Sequence, residues 1–249
     1  MKFINFKLLC TTIVCFAFIT SHAQQRFQVH VDYVKPAKYE DYLSIAKDFK
    51  KACDEHQPET SWIAVSTSDD RFMYVSPMDN FADLDKNVFA GMAEKMGADF
   101  GKMFEKFDEC YDKHSDYVLV LNNELSYMPD GISQTSEGEN YRKFYMMYHT
   151  PSNHGKMRDA IKDVKKMFSD KGSKEYYRVY HSGFGNDEEY YMVAVSSKDP
   201  VDAATKSKAN NELLGDDARE IWSNLMAATE RSEEFTGWMR TDLYYSPKQ

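Results

Sequence analysis

The chain carries an internal repeat that spans most of its length, and this repeat constrains the fold more than any single motif does. The segment KDFKK at residues 47–51 recurs as KDVKK at residues 162–166, an offset of 115. Pro36 and Pro151 are separated by the same offset, and ELSYMP at residues 124–129 matches DLYYSP at residues 242–247. Because the matches keep one order and drift by only a few residues, the sequence predicts a tandem duplication.

The duplication divides the chain into two repeats, over residues 24–130 and 141–249. Residues 131–140 between them are rich in Ser, Gly and Glu, which predicts an exposed linker. Hydrophobic periodicity predicts the same elements in the same order in each repeat. In the first repeat we expect strands over 27–34, 62–67, 72–75 and 116–127, a helix over 38–55 and a mostly helical region over 81–111. In the second we expect strands over 142–149, 176–181, 189–196 and 237–245, with helices near 153–169 and 211–231.

This order, βαββαβ in each repeat, is that of the ferredoxin-like split βαβ unit. A single unit leaves one face of its sheet exposed, and two units can close sheet against sheet. We therefore predict an α+β chain in which two tandem ferredoxin-like repeats form one intramolecular α+β barrel.

By its order of elements, the chain resembles the dimeric α+β barrel superfamily, with the usual pair fused in one polypeptide. That superfamily includes antibiotic-biosynthesis-type monooxygenases, stress-responsive barrel proteins and haem-binding chlorite-dismutase-like proteins. The resemblance is one of architecture and brings no residue motif with it. What it implies about function is therefore an analogy of fold alone.

The first 23 residues have the pattern of a secretory signal peptide. Lys2 and Lys7 precede an apolar stretch over residues 8–19, and Ser21-His22-Ala23 is typical of a cleavage site. An uncleaved anchor is the alternative, but the apolar stretch falls short of the roughly 20 residues that a membrane span needs. Lipidation at Cys15 is disfavoured by the bulky residues before it. We expect a secreted or periplasmic protein with no stable membrane insertion after cleavage.

Charge, hydropathy and cysteine content limit the classes of partner, membrane topology and disulfide that the chain can have. The chain has 40 acidic against 31 basic residues and a net charge of −9, which argues against a nucleic-acid partner. A mean hydropathy of −0.65 excludes a polytopic membrane protein. After signal cleavage only Cys53 and Cys110 remain, and one disulfide is conceivable in an exported protein. Because the predicted fold places the two residues at opposite ends of the helix layer, we expect two buried free thiols.

Side-chain alternation in the first strand separates an apolar face from a polar one. We expect the face of Phe27, Val29, Val31 and Tyr33 to pack on the helices, and that of Gln28, His30, Asp32 and Val34 to line the barrel interior. The positions related by the repeat place Tyr145 and His149 on the same polar surface.

The polar surface predicts ligand contacts at His30, Asp32, Tyr145 and His149, in a barrel cavity that holds a small organic molecule. The alternative is a closed interface in which these polar groups satisfy one another. His30 and Asp32 lie about 7 Å apart at Cβ on one strand, so we do not expect a well-placed orienting dyad.

Motifs for catalysis and metal binding are lacking. The sequence contains no HExxH, CxxC or GxSxG pattern, and Gly183-Phe184-Gly185 lies between two predicted strands, as a hairpin turn does. We therefore predict no catalytic residue, no metal and no cofactor. A metal site that includes His149 and His154, and a haem ligand from an interior histidine, are minor alternatives.

The leading functional prediction is an exported protein that binds a small organic molecule in the barrel cavity. One alternative is a cofactor-independent oxidoreductase resembling the monooxygenases of this fold. Another is a non-catalytic protein-interaction module with a filled barrel. Because two fused copies replace a homodimer, we expect a monomer.

Overall fold

The computed structural model describes residues 25–248, so the predicted signal peptide at residues 1–23 lies outside the described residues. The first repeat contains β1 (Arg26–Val34), α1 (Tyr39–His56), β2 (Ile63–Thr67), β3 (Arg71–Met78), α2 (Ala90–Met96), α3 (Ala98–Asp108) and β4 (Tyr111–Leu121). The second contains β5 (Tyr141–Tyr148), α4 (His154–Lys171), β6 (Tyr177–Ser182), β7 (Tyr190–Ser197), α5 (Pro200–Leu214), α6 (Ala218–Ala228) and β8 (Arg231–Met239). Both repeats thus have the predicted order, with the second helical region split in two.

Strands β4 and β8 and helix α5 differ most from the prediction, and both strands also end six residues before their predicted ends. Strands β4 and β8 begin five to six residues earlier than expected, because their first halves are polar and largely exposed although they pair with β1 and β5. Helix α5 was missed because its apolar residues follow no helical period. Its start is set instead by Pro200 and by the Asp199 side chain, which accepts hydrogen bonds from the amides of Val201 and Asp202.

The eight strands form one closed barrel in the order β1-β3-β2-β8-β5-β7-β6-β4. Within each repeat the sheet has the ferredoxin-like arrangement, and the repeats join along β2–β8 and β4–β6. The β2–β8 junction is tight, since a Cβ on Gly237 would lie 2.8 Å from the Ser66 carbonyl oxygen. The predicted α+β barrel is confirmed.

The barrel interior is mostly apolar, with Arg142 and Arg178 as its buried charged residues. The predicted orientation of the first strand is therefore wrong. Phe27, Val29 and Val31 point inward, where they pack with side chains from all the other strands. A cavity of about 50 Å³ lies inside. His30 and Asp32 point outward, toward the helices. Polar groups on the enclosed side of a closed barrel cannot form hydrogen bonds with water. The apolar face of β1 therefore lies inside the barrel.

The outer face of each half-barrel packs against its own helices. Helices α1–α3 cover the first repeat around Tyr42 and Phe72, and helices α4–α6 cover the second around Met157 and Tyr191. Cys53 and Cys110 are both free and buried in the first layer. Cys110 lies beside Lys35, just before α1, whereas Cys53 is near the end of that helix, so the prediction of separated thiols is confirmed. None of the helices described has the length and apolar composition of a membrane span.

The linker at residues 131–140 is mostly exposed, as predicted, but it is also fastened to the barrel. The buried Arg178 donates a hydrogen bond to the Ser133 carbonyl at 2.7 Å, and the buried Arg142 donates to the Gln134 carbonyl at 3.2 Å. The Tyr180 hydroxyl donates to the Gln134 side chain. Linker carbonyls thus accept hydrogen bonds from two buried arginines that point into the barrel.

Candidate functional site

A cleft of about 840 Å³ opens between the outer face of the first half-barrel and its helices. Strands β1 and β3 form its floor, and α1, α3 and the segment at residues 79–89 form its walls. Its lining combines polar and charged residues with eight aromatic side chains: Tyr42, Phe49, Trp62, Tyr74, Phe89, Phe104, Phe107 and Tyr111. Such walls suit a planar, largely apolar molecule.

The floor of the cleft carries charged groups because of the strand register. β1 lies between β3 and β4, which places His30 opposite Tyr74 on one side and Asp116 on the other. Asp32 is two residues along β1 and therefore points the same way. The pleat thus brings these four side chains to one surface.

His30 donates hydrogen bonds to a carboxylate from each ring nitrogen. Its Nδ1 is 2.9 Å from Asp116 Oδ1, and its Nε2 is 3.1 Å from Asp32 Oδ1. The two carboxylates differ in exposure, since the Asp32 side chain is 6% exposed and that of Asp116 is 53% exposed. The buried end of this network is therefore fixed, whereas Asp116 is free to be displaced.

A chain of hydroxyl groups extends the network under the helices. The fully buried Tyr42 on α1 donates to Asp32 Oδ2 at 2.6 Å, and its oxygen is 3.1 Å from the Tyr74 hydroxyl. Because Tyr42 has a single hydroxyl proton, Tyr74 must donate in turn to Tyr42. Burial and the nearby Asp32 charge raise the pKa of both phenols.

The network holds a proton on His30. Burial lowers the pKa of His30, but the hydrogen bonds to Asp116 and Asp32 and the charges of these carboxylates outweigh burial and raise it to about 10. The same contact lowers the pKa of Asp116. At neutral pH the floor of the cleft therefore presents an imidazolium between two carboxylates.

The structure brings together two of the predicted ligand contacts. His30 and Asp32 are hydrogen-bonded, so the expectation that they are poorly placed as a pair is wrong: their side chains lean toward each other along the strand. Tyr145 lies elsewhere, in a second cleft of about 720 Å³ beside β5 and α5. His149 is buried next to Glu189 at the end of β5. Neither lines the barrel interior as predicted.

Sequence reasoning missed Tyr42, Tyr74 and Asp116. Tyr42 occupies an apolar position of α1 in the helical pattern, and nothing in that pattern distinguishes a packing tyrosine from a hydrogen-bonding one. The position of Asp116 opposite His30 depends on strand pairing, which the sequence does not specify.

His30, Asp32 and His114 each place one donor atom within 4.8 Å of the others. Both His30 nitrogens lie 2.9 and 3.1 Å from carboxylate oxygens, so a metal ion bound to His30 would have to displace one of these hydrogen bonds. A haem iron would meet the same competition at His30.

Comparison with known proteins supports the fold. No protein-family profile matches the chain. No curated protein sequence is significantly similar to it. Among solved structures, an anthrone oxidase-like protein superposes with a TM-score of 0.60 at 11% identity, covering 88% of this chain and 92% of that one.

Two further structures extend the comparison. A candidate monooxygenase from Lactobacillus acidophilus NCFM has a TM-score of 0.53 at 12% identity, covering 88% of this chain and 95% of that one. A mutant chlorite dismutase from Candidatus Nitrospira defluvii has a TM-score of 0.51 at 8% identity, covering 87% and 92%. Identities this low establish the fold alone. The chain has the dimeric α+β barrel fold with both halves in one polypeptide.

Proposed function

We propose that the cleft of the first repeat binds a planar aromatic small molecule that carries a hydroxyl or carbonyl group. The observation that carries this proposal is the charged network of Asp32, His30 and Asp116 at the floor of an aromatic-walled cleft. The cleft volume of about 840 Å³ lies within the range of about 300–1,000 Å³ that is usual for ligand pockets. The small-molecule site predicted inside the barrel thus moves to its outer face.

The polar group of the ligand has a defined place in this cleft. Asp116 is half-exposed and accepts the Nδ1 proton of His30, so a ligand oxygen can displace it and accept that proton instead. Asp32 stays in place because Tyr42 and His30 both donate to it. The aromatic walls then stack on the ligand rings.

The charge around the cleft favours neutral ligands over anions. Its lining includes Asp32, Asp116, Glu59 and Asp79, and the basic Lys50 and Lys86 are paired with Asp54 and Asp83. An acidic ligand would be repelled, whereas a phenol or a ketone meets the protonated His30 without that penalty.

The test is a fluorescence titration of the chain with 2-naphthol, a two-ring phenol. Asp32→Asn removes the charge that anchors His30, and we expect binding at least about tenfold weaker, as for loss of a hydrogen-bonded charge. Asp116→Asn replaces the charged competitor for the Nδ1 proton with a weaker, neutral acceptor, and we expect binding several-fold tighter. His56→Ala, on the same helix layer but outside the cleft, is the matched control and is expected to bind normally.

Opposite changes in the affinity for 2-naphthol in Asp32→Asn and Asp116→Asn distinguish ligand binding from a general loss of structure. Equal affinity in all variants would contradict the proposal, as would saturable binding that Tyr145→Phe abolishes and Asp32→Asn does not. Absence of saturable binding would instead favour the non-catalytic interaction module, which also fits the filled barrel.

A second candidate function, oxidation by O₂ without a bound cofactor, is favoured by the protonated His30. An imidazolium at the floor of the cleft stabilises the enolate that forms when a ketone loses a proton from the adjacent carbon. The displaced Asp116 carboxylate accepts that proton. The names of the anthrone oxidase-like protein and of the candidate monooxygenase support this direction by analogy.

Anthrone is the probe for this second function. Its CH₂ carbon becomes a carbonyl: the enolate is oxidised and O₂ is reduced, with one oxygen atom retained in anthraquinone and the other released as water. We expect O₂ uptake above the uncatalysed rate, and a loss of that excess in His30→Gln. Asp116→Asn would lower this oxidation while tightening 2-naphthol binding. Uptake no faster than the uncatalysed rate would reject oxidation of this probe and leave the binding proposal standing.

Export and a monomeric state, inferred from the first 23 residues and from the duplication, remain predictions. They would place the binding site outside the cytoplasm, within a single polypeptide.

A further inference from the structure

We propose that the second repeat holds a binding site for a divalent transition metal ion such as Zn²⁺, with His149, His154 and Glu189 as ligands. This site is independent of the aromatic cleft, which belongs to the first repeat. Imidazole and carboxylate together are a ligand set that zinc uses when it keeps an open coordination position.

The three ligands converge because a strand end meets a helix start. His149 directly follows β5, His154 is the first residue of α4, and Glu189 directly precedes β7. The His149 amide donates to the Glu189 carbonyl at 3.0 Å, which extends the β5–β7 pairing and places both side chains at one end of the barrel.

The distances suit a single ion. One donor atom from each residue lies within 4.8 Å of the other two. His149 Nδ1 is 3.6 Å from Glu189 Oε2, and two ligands at about 2.1 Å in tetrahedral geometry are about 3.4 Å apart. The two imidazole rings are 5.3 Å apart between centroids. Small side-chain rotations therefore complete the site.

The surroundings bury one ligand and leave the other two exposed to solvent. The His149 side chain is 2% exposed and packs beside the Tyr191 ring. Its Nδ1 atom also lies 3.2 Å from the Thr150 carbonyl oxygen, so an ion bound at Nδ1 would replace that contact. His154 and Glu189 are exposed. A fixed imidazole with two solvent-facing partners allows an ion to enter directly from water.

The charges nearby are compatible with a cation. Arg158, one turn after His154 on α4, is paired with Glu124, so its positive charge is largely compensated. The partial positive charge at the α4 N-terminus opposes the ion only weakly, because the site is open to water on the side of His154. The Glu189 carboxylate supplies a negative charge to the ion directly.

The test is calorimetric titration of the untagged, chelator-treated chain with ZnCl₂, supported by the visible absorption of added Co²⁺. We expect one ion per chain. His154→Ala and Glu189→Gln should each weaken Zn²⁺ binding by about tenfold or more and remove the tetrahedral Co²⁺ spectrum. Both positions are exposed, so these variants are expected to fold, and circular dichroism checks this. His56→Ala is the matched control with unchanged binding.

Absence of saturable Zn²⁺ binding at micromolar concentration would overturn the proposal. So would affinity that is unchanged in both His154→Ala and Glu189→Gln. Binding that is lost in His114→Ala but kept in His154→Ala would place the ion in the cleft of the first repeat and would likewise overturn it.

Discussion

The two repeats share one fold but differ in what lies between sheet and helices. In the first, Asp32 on β1 meets Tyr42 on α1 in a hydrogen-bonded network. The positions 115 residues later hold Met147 on β5 and Met157 on α4, both buried in an apolar cluster. The same backbone arrangement thus supports a polar binding surface in one half and a packed core in the other.

The strand partners show the same divergence. His30 lies opposite Asp116, and the equivalent Tyr145 lies opposite Glu234. In the second repeat Glu234 is instead paired with Lys143 at 2.9 Å, as a half-exposed salt bridge. The network that holds a proton in the first repeat becomes an ordinary surface ion pair in the second.

The clefts of the two repeats have different linings because the connection after the hairpin differs in length. Residues 79–89 separate β3 from the seven-residue α2, whereas only residues 198–199 separate β7 from the 15-residue α5. In the second repeat, α5 starts at once after β7, and the cleft of about 720 Å³ lies between this helix and the strands. In the first, the longer segment, which includes a short 3₁₀ helix over Phe81–Asp85, lines the space beside His30.

The largest effect is expected from placing a carboxylate in the packed repeat. Met147→Asp buries a charge that has neither the Tyr42 hydroxyl nor an imidazolium to meet it. We expect the free energy of unfolding to fall by about 3–5 kcal/mol, measured by urea denaturation. Tyr145→His, at a half-buried position beside it, is the control and should change stability by no more than about 0.5–1 kcal/mol. Equal losses in the free energy of unfolding from the two substitutions would contradict the claim that position 147 lies in a packed apolar core.

A smaller effect is expected from removing one hydroxyl in the polar repeat. Tyr42→Phe leaves Asp32 Oδ2 without its buried donor, and we expect a loss of about 1.5–3 kcal/mol in the free energy of unfolding. The matched change in the second repeat, Met157→Leu, keeps volume and should cost less than about 1.5 kcal/mol. Urea denaturation of both variants is the measurement. A larger loss from Met157→Leu would show that packing, not the network, distinguishes the repeats.

The smallest change expected at a single step is a pH dependence of stability that originates in the first repeat, at most about 1.4 kcal/mol per pH unit for one titrating group. The pKa of His30 rises from about 6.5 to about 10 on folding. The stabilisation is therefore fully present below pH 6.5 and is lost as the pH rises through about 10. Urea denaturation between these values should show a falling free energy of unfolding, and His30→Gln should flatten that slope. An identical slope in His30→Gln would assign the titration to other groups.

The fold followed from the repeat, because duplicated strand and helix patterns leave few closed arrangements. Alternation in β1 also grouped the right residues: Phe27, Val29 and Val31 on one face, His30 and Asp32 on the other. Alternation did not specify which face lies inside, because the orientation of a strand is set only when the barrel closes.

The site itself was only half predictable. Relating His30 to Tyr145 by the repeat offset requires that both repeats keep one function. A repeat preserves backbone register without preserving side-chain chemistry. Asp116 and Tyr42 reach His30 and Asp32 only through strand pairing and helix packing, which is why the pattern of single residues did not reveal them.

Histidine-ring NMR of the chain during addition of 2-naphthol tests the central claim most directly. We predict that the signals of His30 and of its neighbour His114, whose rings are 5.5 Å apart, shift with ligand concentration. Those of His149, His154 and His181 in the second repeat should stay unchanged. Shifts confined to the second-repeat histidines, or saturable binding with no shift at His30, would contradict the assignment of the site to the first repeat.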